Sequence, residues 1–179
     1  MNQQFLGEGF MFKFALIFAL CLIPSLAMAQ TPATKIDSLD IVKVGVMKVE
    51  SKPTTTKSND ISTGMRVDYK EDPHVVTETR TIKVEDEMVF GLEAKLNGSP
   101  KGRNIKVKII WTYPEPGIKH PTSGKITLRD EIQGSHKIGG TESYFWTIGN
   151  DYTLVPGVWT VEIFDGTRRL AKQEFTITR

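Results

Sequence analysis

The feature that most constrains this chain is a repeated two-residue alternation of apolar and polar side chains, cut into short runs by turn residues. In "LVPGVWTVEIFDG", residues 154–166, Trp159, Val161 and Ile163 share one face. Val155-Pro156-Gly157-Val158 before them fits a type II turn, and Asp165-Gly166 turns the chain afterwards. "MVFGLEAKL" places Phe90, Leu92, Ala94 and Leu96 together, with Glu93 and Lys95 opposite. "IKVKIIWTY" does the same with Ile105, Val107, Ile109 and Trp111, leaving Lys106 and Lys108 outward. No window beyond residue 30 has a convincing helical period. Side chains that alternate this way belong to strands with one buried face, which must pack against a second sheet.

The pattern predicts roughly seven or eight strands. "MVFGLEAKL" and "IKVKIIWTY" read as a hairpin closed by "NGSPKG". "LVPGVWTVEIFDG" and "RRLAKQEFTIT" read as a second hairpin. There a three-residue loop with Gly166 in the left-handed conformation sets Ala171 opposite Trp159, and the broken parity at Leu170 signals a bulge. "IVKVGVMKV", "HVVTETRTIKV", "KITLRDE" and "TESYFWTIG" supply further strands, with a weaker one at Met65–Tyr69. "SKPTTTKSND" reads as a polar loop. The expected fold is an all-β, immunoglobulin-like antiparallel sandwich occupying residues 38–179 as a single domain.

The beginning of the chain reads differently. Lys13, the apolar run Phe14–Ile23, the break at Pro24 and the triplet Ala27-Met28-Ala29 form the pattern of a secretory signal. Cleavage after Ala29 leaves Gln30 first and 150 of the 179 residues, with 30–37 as a flexible leader. Translation from Met1 and from Met11 both fit, the second placing Lys13 where a basic n-region belongs. Cys21 follows the bulky Leu20 inside the apolar run, so it reads as an h-region residue and not a lipidated cysteine. It is the chain's one cysteine, so the mature chain has no disulfide, thiolate metal site or cysteine nucleophile. Export to the periplasm, or secretion, is expected. The mature formal charge stays at +2, which argues against nucleic acid as a partner. No later segment is apolar enough for a membrane helix.

Four stretches together, "GLEAKLNGSPKG", "YPEPGIKHPTSGK", "ISTG" and "LVPGVWTVEIFDGTRRLAKQEFTIT", resemble a family of small exported bacterial proteins catalogued as a domain of unknown function (three-eight-five-nine). The resemblance covers about Asp37–Arg179. It implies the sandwich and a bacterial envelope setting, and it implies no activity and no catalytic residues.

Reactive constellations are scarce. His74, His120 and His136 are scattered without ligand spacing and leave only a weak metal alternative. Met47, Met65 and Met88 stand alone, which makes a copper site a poor fit. No G-x-S-x-G elbow is present. Glu71-Asp72 and Glu85-Asp86-Glu87 read as solvated turn ends, and Gly139-Gly140 has no following helix to make a phosphate loop. In "SYFWT", Tyr144 and Trp146 share one face and Phe145 takes the other. If the pair faces out it suits a sugar ring or a protein partner; if it faces in it is core. Lys106 and Lys108, near Lys101 and Arg103, form the densest basic set, fit either for an anionic envelope surface or simply for solvating an edge. The expectation is a monomeric, cofactor-free, non-enzymatic module of the cell envelope binding a protein or glycan. The alternative is a small metal-binding protein or hydrolase built on the three histidines and neighbouring carboxylates.

Overall fold

In the computed structural model, which describes residues 33–179 apart from 59–60, 86 and 150, the alternating runs form thirteen strands and one short 3-10 turn at Asp151–Thr153. Four strands make one sheet: β1 (Lys35–Lys48), β4 (His74–Glu78), β6 (Met88–Ser99) and β11 (Thr141–Ile148), in the order β11-β6-β1-β4. Five make the other: β5 (Thr81–Lys83), β7 (Asn104–Thr112), β10 (Arg129–Lys137), β12 (Gly157–Asp165) and β13 (Arg168–Thr178), in the order β10-β7-β12-β13-β5. Two small ribbons stand outside the sheets. They are β2 (Thr54–Lys57) with β3 (Met65–Asp68), and β8 (Ile118–Lys119) with β9 (Ile126–Thr127). Within the sheets pairing is antiparallel except for β13 with β5, which is parallel.

The inward faces meet as the alternation predicts. Phe90, Leu92, Ala94 and Leu96 are fully buried, as are Trp159, Val161 and Ile163. Rings carry the contact between layers: Phe90 of the first sheet lies 5.7 Å from Trp111, 5.8 Å from Trp159 and 5.2 Å from Phe175 of the second. Trp159 also satisfies its indole N–H, which donates to the Val155 carbonyl at 2.7 Å. A buried ring of this size contributes about 2–3 kcal/mol through area removed from water.

Five expectations need correction. The segments "MVFGLEAKL" and "IKVKIIWTY" are not a hairpin: β6 pairs with β1 and β11, while β7 pairs with β10 and β12. The "NGSPKG" turn carries the chain from one sheet to the other. The β12–β13 register sets Phe175, not Ala171, opposite Trp159. Gly166 is left-handed (φ +59°) as expected, but Asp165 pairs with Arg168 and the register shifts beyond Ile163, so Leu170 is bulged out and the two aromatic residues come into line. "SKPTTTKSND" contains β2, paired with β3. Residues 35–37, expected in a flexible leader, are strand: β1 begins at Lys35 and Ile36 is wholly buried opposite Gly98. Nine strands build the two sheets where seven or eight were expected. The signal segment 1–29 and Gln30 lie outside the described residues.

Trp159 sits where the layers meet, so Trp159→Ala should destabilise the domain by about 3–5 kcal/mol. Urea titration should show a lower midpoint with an unchanged slope, since the surface exposed on unfolding stays nearly the same.

A candidate ligand cleft between the sheet edges

β10 and β11 are consecutive in the chain yet lie in different sheets, each at an edge. Between them the sandwich opens into a cleft of about 650 Å³, within the roughly 300–1,000 Å³ range of small-molecule sites. Ile132–His136 of β10 form one wall and Ser143–Thr147 of β11 the other. Trp111 and Ile109 from β7 lie deeper, and the β2–β3 ribbon borders the opening through Met65–Asp68.

A buried carboxylate anchors the ribbon. Asp130 is 3% exposed, and its two oxygens accept the Ser62 backbone N–H at 2.9 and 3.0 Å. One of them also accepts the Ser62 hydroxyl at 2.7 Å and the Tyr113 hydroxyl at 2.8 Å. A charge out of water requires such a set of donors. Burial, reinforced by the Asp130 carboxylate, pushes the Tyr113 hydroxyl well above the usual tyrosine range.

Tyr144 and Trp146 face inward. They are 1% and 6% exposed, so the outward aromatic pair considered from sequence is not formed. Phe145 takes the outer face against Tyr69, at 5.6 Å. The Tyr144 ring stacks on His136 at 4.6 Å, and Trp146 lies 5.3 Å from Tyr113 and 5.8 Å from Trp111. The His136 ring fits because Gly134, two residues earlier on the same face, has no side chain; a Cβ there would collide with Nε2. His136 Nδ1 lies 3.1 Å from a Glu142 oxygen, whose companion oxygen accepts the Lys137 N–H at 3.0 Å. A carboxylate at Nδ1 holds the proton on that nitrogen.

Among the described residues, three buried side-chain polar atoms then have no hydrogen-bond partner: His136 Nε2, the Tyr144 hydroxyl and Trp146 Nε1. All three residues line the cleft. Burial, with the Glu142 carboxylate adding to it, raises the Tyr144 hydroxyl above its ordinary range. Native interiors satisfy nearly all such groups, and each one left over costs about 1–3 kcal/mol.

The other residues singled out by sequence lie elsewhere. Lys106 and Lys108 are on the outer face of β7, opposite Ser135 and Gln133. Lys108 Nζ sits 3.7 Å from Glu131 and 5.4 Å above the Phe164 ring, while Lys106 is exposed. The histidines do not assemble. His74 opens β4 at the far edge of the first sheet, and the His120 ring accepts the N–H groups of Thr122 and Ser123. Among the described residues no group of three or more His, Cys, Asp or Glu could hold a metal ion.

No protein-family model matches the chain, and no curated protein matches it at a significant level. Its structure is similar to that of an immunoglobulin-like protein from Pseudomonas aeruginosa. The TM-score is 0.54 at 17% identity, and the match covers 83% of this chain and 99% of that one. The fold is thus an immunoglobulin-like sandwich.

Tyr144 supplies a test of the unpartnered groups. Tyr144→Phe removes a hydroxyl that has no partner, so it should raise stability by about 1 kcal/mol near neutral pH. Free tyrosine in the unfolded chain ionises from about pH 10, whereas Tyr144 and Tyr113 hold their protons higher in the fold. The unfolded state therefore binds fewer protons above that pH, and stability should fall as pH rises. Urea midpoints measured across the alkaline range should fall less steeply for Tyr144→Phe than for the parent.

Proposed function

We propose that this chain is a non-enzymatic binding module of the bacterial cell envelope, exported behind residues 1–29, that takes its ligand in the cleft between β10 and β11. The observation carrying this reading is the gathering of three unpartnered buried polar atoms along one opening of the sandwich. A structural module has no use for them, because replacing them with apolar atoms of like shape would stabilise the fold. A ligand that hydrogen-bonds them recovers that free energy on binding. The secretory pattern and the resemblance to exported proteins of a domain-of-unknown-function family support the envelope setting. The metal or hydrolase alternative required converging histidines, but His74 opens β4, His120 follows β8 and His136 is on β10, and among the described residues no group of three or more His, Cys, Asp or Glu gathers.

Native mass spectrometry of protein recovered from its own envelope fraction tests both halves of the proposal. The expected result is a chain beginning at Gln30 that carries additional mass. The double substitution Tyr144→Phe, Trp146→Phe keeps an aromatic ring at each position and deletes two of the donors, so it should weaken binding by about tenfold or more, equivalent to at least about 1.4 kcal/mol, and lower the loaded fraction accordingly. Bare protein in both forms, or equal loading of both, overturns the cleft assignment.

A further inference from the structure

The cleft has a second set of unpartnered groups, on the backbone. Leu128 carbonyl accepts the Tyr113 N–H and Arg103 carbonyl accepts the Ile138 N–H, which fixes the phase of the β10–β7 ladder. Even-numbered residues of β10 therefore bond to β7, and the N–H and C=O groups of Glu131, Gln133 and Ser135 point along the free edge. No other element pairs with them among the described residues. At β11 the chain at 69–73 lies over the outer face through side-chain bonds: the Tyr69 and Thr147 hydroxyls are 3.1 Å apart and the Ser143 hydroxyl donates to the Pro73 carbonyl at 2.6 Å. Charge distinguishes the β10 edge from it.

Lys101, Arg103, Lys106 and Lys137 surround the end of β10 that leads into the Gly139–Gly140 turn, and none of them makes a side-chain ion pair among the described residues. A row of free backbone donors and acceptors is matched by another polypeptide backbone, and a basic flank is matched by acidic side chains on its outward positions. A sugar finds less to hold: the Tyr144 face is taken by His136, and Trp146 is packed among Tyr113, Trp111 and Trp159.

We infer that the occupant is an extended segment of a partner protein, alternating apolar and acidic residues, that adds as a strand to the Glu131–Ser135 edge of β10. Its mainly apolar inward side chains turn into the cleft, one of them carrying a hydrogen-bonding group for His136 Nε2, the Tyr144 hydroxyl or Trp146 Nε1, and its acidic ones lie beside the basic flank. This rests on the cleft reading above and names the ligand's class.

The test is selection of a display library of random peptides of about eight residues, within the usual range of strand lengths, on the intact domain. The expected consensus alternates apolar and acidic residues. Ser135→Pro removes one edge N–H without touching the β7 ladder, and should weaken the selected peptides by about tenfold or more. Ser135→Ala, which keeps the N–H, should bind as the parent does. Lys106→Glu, independent of any backbone change, should shift the consensus away from acidic residues. No alternating consensus, or equal binding by a Ser135→Pro variant that melts like the parent, overturns the inference. So does a parent dimer abolished by Ser135→Pro, which would assign the edge to a second copy. If a saccharide or small metabolite instead accounts for the mass lost with Tyr144→Phe, Trp146→Phe, the strand inference fails and the cleft reading survives. If neither peptides nor cleft-dependent mass are found, both fail.

Discussion

Everything in this molecule depends on a small group of rings that joins the two layers. Phe90 is the first sheet's contribution, and Trp111, Trp159 and Phe175 meet it from the second. Most of these contacts are edge-to-face, the arrangement that the ring quadrupole favours over a face-to-face stack. With Cys21 the one cysteine of the sequence, no disulfide ties one sheet to the other, so packing has to do it. Trp146 extends the same cluster toward the open side, touching Trp111, Tyr113 and Trp159. The innermost wall of the cleft is thus also the outermost part of the core.

That shared wall explains how a binding site coexists with a stable domain. The Asp130 carboxylate satisfies its demands within the protein and holds the Ser62 turn of the ribbon in place. His136, Tyr144 and Trp146 leave one polar atom each unsatisfied a short way along the same opening. One buried polar set builds the frame, and the other remains available to a ligand. The contrast follows from geometry, since Ser62 and Tyr113 approach Asp130 from two elements whereas β10 and β11 are edge strands with no pairing partner beyond them among the described residues.

How much of this was legible in the sequence depends on distance along the chain. Parity is a local property, so the alternation correctly put Phe90, Leu92, Ala94 and Leu96 in the core and Lys106 outside it. Pairing is not local. The "NGSPKG" turn has the same composition whether it reverses within a sheet or crosses between sheets, and here it crosses. Thr54–Lys57 has no apolar alternation at all, so only its partner β3 makes it a strand. The site divides the same way. Parity joined Tyr144 to Trp146, but with Phe145 apolar too it did not decide which face was buried. His136 and Glu142 are six residues apart across the Gly139–Gly140 turn, within reach of a local reading that took those glycines only for a failed phosphate loop. Asp130 and Ser62 are separated by 68 positions and carried no signal.

The parallel pairing of β13 with β5 has a consequence for how the chain comes into being. Thr81–Lys83 finds its ladder partners at Thr176–Thr178, and Ile82 and Ile177 bury one beside the other. A chain emerging from its amino end, whether from a ribosome or across a membrane, presents β5 well before its partner β13. Such distant pairings are slow to form, because loop closure must be completed before any contact rewards it. Until Arg168–Thr178 arrives, Ile82, Phe90 and Trp159 lack the strand that brings them Phe175 and Ile177. Any interval before β13 docks leaves apolar core surface uncovered, the condition under which incomplete chains associate.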